Sequence, residues 1–230
     1  MAKSRESPKG DERTMQPTIA RYRDRADAGA VLATDLMKYA GQNVAVLGVG
    51  SGGLTVAAPI ARALGADLDV LAARPLSLPG QPDRVWGAVA MHGECAQIVA
   101  DQDIEPRRYP IIEPANNLRQ RDLDQLRDLD EAYRGGRPPE RVTGRLIIVV
   151  ADGLTSLTVM RAAASAVRRE HPARLVFALP AGTTACCTAL RKAADEVICP
   201  VCIGLFHPTA PVYRDEVEIS VNDVRRLLAA

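Results

Sequence analysis

The stretch Arg145–Ala163, RLIIVVADGLTSLTVMRAA, sets the tightest limits on what this chain can fold into. Leu146 to Val150 are five consecutive apolar residues, dense in β-branched side chains. A run so short and so uniformly apolar suits a strand covered on both faces, as in a parallel sheet. Asp152-Gly153 ends the run, Thr155, Ser156 and Thr158 supply three hydroxyls, and Val159-Met160-Arg161-Ala162-Ala163 opens a helical pattern. A polar loop between the carboxyl end of a buried strand and a helix is where open α/β folds place ligands. The helix start adds unpaired N–H groups and a partial positive charge, which suit a phosphate.

The same alternation recurs along the chain. Val31, Leu32, Leu36 and Tyr39 fall at near-helical spacing between Asp24, a cap, and Gly41, a stop. NVAVLGVGSGG (43–53) reads as a strand entering a glycine turn, and LTVAAPIARALG as the next helix, where Pro59 predicts a late start or a kink. DLDVLAAR (67–74) is a third strand, PLSLPGQPD with its three prolines a loop, and RVWGAVAMHGECAQIVA a hairpin-like excursion. Residues 101–115 give no regular signal. Leu123, Leu126, Leu129 and Tyr133 then stripe one side of a charged helix. ARLVFALP and DEVICPVC read as strands, TTACCTALRKAA and SVNDVRRLLAA as helices. Strand–helix alternation of this kind predicts an α/β fold, a mostly parallel central sheet flanked by helices on both faces.

Composition narrows the classes. The 230 residues suit one domain, residues 21–230, behind a flexible tail, residues 1–20. An apolar content of 47% excludes disorder throughout, and 3% aromatics leave Leu, Val, Ile and Ala to fill the core. A formal charge of +1 gives no long-range pull toward nucleic acid or an acidic membrane, so neither is expected as a partner. No segment has the length of a membrane span, and the N-terminus has no apolar secretion signal, which predicts a cytoplasmic protein. Cysteines in that compartment are reduced. Cys186-Cys187 and Cys199-Pro-Val-Cys202 could supply four metal ligands, but adjacent cysteines make a poor zinc knuckle and no His lies at finger spacing. They are read as buried thiols, and no metal is assigned. His92, His171 and His207 are scattered, which predicts surface or loop positions.

Gly48, Gly50 and Gly53 satisfy the dinucleotide-binding pattern G-x-G-x-x-G between a strand and a helix. The acid that should close the next strand is absent; Asp67 and Asp69 stand at that strand's start, and Arg74 near its end suits a 2′-phosphate. An NAD(P)-dependent oxidoreductase is therefore one alternative. Ser51 lacks the glycine two residues upstream that a hydrolase nucleophile elbow needs, since that position is Val49.

Taken together, YRDRADAG (22–29), GSGG (50–53), PGQPD (79–83), WGAVA (86–90), YRGGRPP (133–139), VVADGLTSLTVMRAA (149–163) and VYRDEVEIS (212–220) resemble the type I phosphoribosyltransferase family in order and spacing, from Tyr22 to the C-terminus. The resemblance implies that fold, with a small hood over the base formed by residues 75–115. It implies that Asp152 holds ribose hydroxyls and that Gly153, Thr155, Ser156 and Thr158 cup a 5′-phosphate. Gly50, Ser51, Gly52 and Gly53, with Arg74, would face pyrophosphate, and Mg²⁺ would accompany the donor in an active enzyme. The family's chemistry is displacement at the ribose anomeric carbon, for which the protein positions groups and balances charge.

The chain departs from that pattern where charge matters. The first acid of the pair is Ala151, a loop glycine is Leu157, and the last hydroxyl is Val159. Gly50-Ser51 stand where close relatives carry Pro-Arg, and Arg74-Pro75 where they carry Arg-Lys. Two lost charge-assisted contacts, each worth roughly 1.5–3 kcal/mol, amount to a factor of about a hundred or more in binding or rate. A left-handed conformation at Leu157, if the loop needs one, would reshape the cup. The expectation is a phosphoribosyltransferase-like protein with a degenerate donor site, non-catalytic or weakly active. It would bind a nucleotide, a ribose phosphate or a protein partner, a second copy of the chain included. The other alternative is an active Mg²⁺-dependent phosphoribosyltransferase acting on a nucleobase.

Overall fold

The computed structural model describes residues 21–78, 81–101, 114–203 and 212–230. The expected tail, residues 102–113 of the hood segment and His207 lie outside the described residues. The element order is α1 (Arg25–Leu36), β1 (Val44–Val49), α2 (Gly50–Leu64), β2 (Asp67–Leu78), β3 (Gln81–His92), β4 (Cys95–Ala100) and α3 (Pro114–Arg134), then β5 (Leu146–Val150), α4 (Leu157–Arg169), β6 (Arg174–Ala178), β7 (Ala181–Thr183), α5 (Thr184–Leu190), β8 (Glu196–Ile198), β9 (Val201–Ile203) and α6 (Val221–Leu228).

Seven strands form one sheet in the order β4-β3-β2-β1-β5-β6-β8. The pairings from β2 through β8 are parallel, and β3 and β4 add antiparallel strands at one edge. The α/β, mostly parallel architecture expected of the sequence is thus the observed one. β1 and β5 show why their runs are apolar throughout. Leu47, Val49, Ile147 and Val149 pack under α4, whereas Val44, Val46, Ile148 and Val150 pack under α1 and α2. Alternate residues face opposite layers, and both layers are helical.

The helix starts follow local chemistry. The Asp24 carboxylate accepts from Asp27 N and caps α1, and Ser220 with Asp223 forms a reciprocal box at α6. Leu126 and Tyr133 are buried on the expected stripe of α3. α2 begins at Gly50, earlier than expected, and carries Pro59 inside it. A Cβ on Gly29 would lie 2.2 Å from the Val56 carbonyl oxygen and 3.1 Å from the Pro59 ring, so only glycine lets α1 pack this close to α2.

Three expectations are corrected. The proline-rich segment after Arg74 is not a loop at its start: β2 runs on to Leu78 and β3 begins at Gln81. Beyond Leu71, β2 pairs with β3 and no longer with β1, so Pro75 removes no hydrogen bond from that side. DEVICPVC is not one strand; Cys199-Pro200 divides it between the main sheet and a separate β7–β9 pair. His92 is neither at the surface nor in a loop.

His92 is fully buried at the end of β3, with Nε2 3.0 Å from Asp69 Oδ2 and Nδ1 2.8 Å from Glu170 Oε1. Arg134 of α3 donates to Asp69, to Asp130 at 2.8 Å and to the Val70 carbonyl at 2.9 Å. Burial pulls the His92 pKa down, but its hydrogen bonds to the two carboxylates outweigh this and push it up to about 9. Burial likewise opposes the charge on Asp69, and His92 and Arg134 still hold that carboxyl below its usual range. The network pins α3 to β2 and β3.

Candidate functional site

β1 and β5 lie side by side, in register so that Gly48 pairs with Val150. The chain leaves β1 toward β2 on one side and leaves β5 toward β6 on the other. This divergence opens a crevice at the carboxyl ends of the two strands, the usual ligand position in such sheets. The two loops singled out by sequence, Gly50–Gly53 and Asp152–Thr158, therefore meet.

Glycine makes the meeting possible. A Cβ on Gly53 would lie 2.5 Å from the Val150 carbonyl oxygen, and one on Gly52 would lie 2.4 Å from Asp152 Oδ2. Gly50 and Gly153 adopt left-handed φ values of 62° and 81°. Leu157 does not: it is the first residue of α4, and the reshaping expected from a strained leucine does not arise.

Asp152, at the mouth of the crevice, is 7% exposed and has all its acceptor sites in use. Arg25 donates to Oδ2 from Nε at 3.3 Å and from Nη2 at 3.2 Å. Oδ1 accepts from Leu154 N at 3.1 Å and from the Thr155 hydroxyl at 3.0 Å. A carboxylate has about four lone-pair positions, so a ribose hydroxyl must displace one of these donors. Arg25 is itself fixed, its guanidinium 5.1 Å above the centre of the Tyr213 ring. The Tyr213 hydroxyl donates to the Asp152 carbonyl, and burial pushes its phenol pKa up, which keeps it a donor.

Beyond Asp152 a cavity of about 480 Å³ opens between Val49, Gly50, Ala73, Pro75 and Val85 on one side and Leu154–Ser156, Thr158 and Val159 on the other. The charged side chain among its described lining residues is that of Asp101. Thr158 donates to Asp101 Oδ2 at 3.1 Å. Ser156 caps α4 by accepting from Val159 N at 3.3 Å. A second cavity of about 280 Å³ lies across the same loop, between Gly153, Thr155 and Leu157 and the Gly182, Thr183 and Cys186 side.

The structure thus brings Asp152, Gly153, Thr155, Ser156, Thr158 and Gly50–Gly53 together. It does not bring Arg74 to them. Ala73 and Pro75 line the cavity, so Arg74 between them faces α3, where it pairs with Gln125 and lies 3.9 Å from Asp122. Arg25, Tyr213 and Asp101 are the residues that sequence reasoning left out. Arg25 and Tyr213 stand in YRDRADAG and VYRDEVEIS, which carried the family resemblance without a role attached.

The donor set does not fit a protein-built magnesium site. Mg²⁺ prefers oxygen ligands in octahedral array, with free carboxylates among them. Asp152 is neutralised by Arg25, and among the described residues no group of three or more His, Cys, Asp or Glu is placed to hold a metal ion. A dinucleotide has no better footing. The close approaches at Gly48 and Gly53 are met by the backbone of α2 and β5, and the described end of β2 offers no acid. No described helix is long and apolar enough to cross a membrane.

No family model matches the chain. It is 32% identical over 203 residues to a Mycobacterium tuberculosis H37Rv protein named "Putative phosphoribosyl transferase Rv0571c", a match covering 88% of this chain and 45% of that protein. The corresponding protein of strain CDC 1551 matches equally. The chain thus spans about half the length of these curated relatives. The crystal structure of TT1426 from Thermus thermophilus is similar at a TM-score of 0.69 and 33% identity, over 90% of this chain and 97% of that one. Over nearly nine tenths of its length the chain is similar to proteins named as phosphoribosyl transferases, and its sheet and two crevice loops are consistent with a phosphoribosyltransferase-like domain.

Proposed function

We propose that the crevice binds a ligand carrying a single phosphate, a ribose phosphate or nucleoside monophosphate, and that the domain transfers phosphoribosyl groups weakly or not at all. The saturation of Asp152 carries this reading: the surviving acid of the motif is spent on Arg25 and its own loop. Among the described residues that line the cavity beside it there is no cation to hold a pyrophosphate. A single phosphate has better support. α4 is thirteen residues long, and its first turn offers N–H groups beyond the one Ser156 caps. The reading concerns this domain, since the longer relatives contain as much chain again.

Calorimetric titration with ribose 5-phosphate, a nucleoside monophosphate and phosphoribosyl pyrophosphate plus Mg²⁺, with pyrophosphate release measured on a panel of nucleobases, tests it. Binding of the monophosphates without release is expected. Release at enzymatic rates with any base overturns it. That outcome would favour the second reading, an active transferase, for which one observation speaks: the Arg25 guanidinium sits 3.2 Å from where a Gly52 Cβ would stand and so supplies a cation beside the glycine loop.

A further inference from the structure

Four of the five cysteines gather around the β7–β9 pair, away from any role in the crevice chemistry. Cys187 of α5 and Cys202 of β9 approach to 3.7 Å between sulfurs. Cys199 donates to the Val201 carbonyl at 3.4 Å and its thiol also hydrogen-bonds to Cys187, and Cys186 lines the smaller cavity. The two close partners differ in access: Cys202 is exposed and Cys187 buried. An exposed thiol beside a buried one is the arrangement of an attacking and a resolving cysteine. Burial pushes the thiols of Cys186, Cys187 and Cys199 up, and Cys202 is the exposed sulfur of the four, the one an oxidant reaches first.

We propose that Cys187 and Cys202 are a modification site, a dithiol that peroxide converts to an intramolecular disulfide, clamping α5 to β9 along one wall of the smaller cavity. The Cys202 thiolate, its proton lost to water, attacks one peroxide oxygen. The O–O bond breaks, hydroxide departs, and Cys202 becomes a sulfenic acid. The Cys187 sulfur then attacks Cys202 Sγ; the S–O bond breaks, and the departing hydroxide takes the Cys187 thiol proton as water. Two thiols and one hydrogen peroxide give one disulfide and two waters, with two electrons passing from sulfur to oxygen. Closing from 3.7 Å to a bond of about 2.05 Å is within the reach of side-chain rotation.

The test uses the full chain, reduced and then treated with a stoichiometric amount of hydrogen peroxide. Thiol titration in denaturant should fall from five to three, with recovery on adding dithiothreitol. Tryptic peptides 175–191 and 193–214 should appear joined. Cys202→Ser and Cys187→Ser should each abolish the joined peptide, whereas Cys186→Ser and Cys199→Ser should retain it. Persistence of the link in Cys187→Ser, a disulfide between two chains on a non-reducing gel, or a sulfinic acid at Cys202 with no link would overturn the proposal. So would purified protein that holds one zinc ion on all four sulfurs.

Discussion

Two of the arginine–aspartate pairs among the described residues look alike and do different work. Arg134 and Asp69 are 5% and 0% exposed, and His92, Asp130, Glu140 and Val70 complete the hydrogen bonding around them. The side chains of Arg25 and Asp152 are 15% and 10% exposed, and the loop residues that follow Asp152 line a cavity. The first pair has no way out: loss of either partner strands a charge in the interior. The second can exchange a partner for a ligand or for water. An ion pair is structural or functional according to what lies beside it, not to the residues that make it.

The largest effect should come from the enclosed pair. Arg134→Met takes the guanidinium from buried Asp69 and Asp130, leaving Asp69 with His92 as its cation and Asp130 with no hydrogen-bonded cation among the described residues, and should cost about 3–5 kcal/mol in urea unfolding. Arg25→Met should cost clearly less, about 2 kcal/mol, because Asp152 keeps two loop donors and gains water. Equal losses would erase the distinction between the pairs.

The second test is pH. The folded His92 value of about 9 lies above the ~6.5 of an unfolded chain, so its stabilisation is whole below about pH 6.5 and fades as pH rises through about 9. Wild type should lose on the order of 3 kcal/mol across that window, and His92→Gln should flatten the slope. Asp69 acts in the opposite sense: its depressed carboxyl stabilises above ~4, and that contribution is lost on acidification.

The smallest effect sharpens the open side. Ser156→Ala removes the α4 cap and should cost about 1 kcal/mol of stability while weakening ribose 5-phosphate binding severalfold. Unchanged binding would move the phosphate away from this helix start.

Much of this architecture was legible in local pattern. The runs at 44–49, 146–150 and 174–178 announce buried strands, and the glycines and hydroxyls after two of them announce the crevice. What was hidden depends on distance along the chain. Arg25 meets Asp152 across 127 residues, and His92 meets Asp69 and Glu170 across 23 and 78. No spacing rule joins such positions, so Arg25 read as one charge in a helix start and His92 as a stray. Arg74 failed for a different reason: its place on β2 was foreseen, but the strand's alternation turns it to the α3 face. Prolines misled at β2 because their penalty depends on a neighbouring strand whose pairing ends at Leu71.

The neutralisation of Asp152 by Arg25 is tested most directly by equilibrium titration of phosphoribosyl pyrophosphate with Mg²⁺ into wild type and Asp152→Asn. Asparagine can still accept from Leu154 N and Thr155, so the loop should stand. If the carboxylate is already spent, the two affinities agree within about threefold, or the variant binds more tightly through a freed Arg25. A loss of about tenfold or more, some 1.4 kcal/mol, would mean that Asp152 grips the ribose after all and that the donor site is intact.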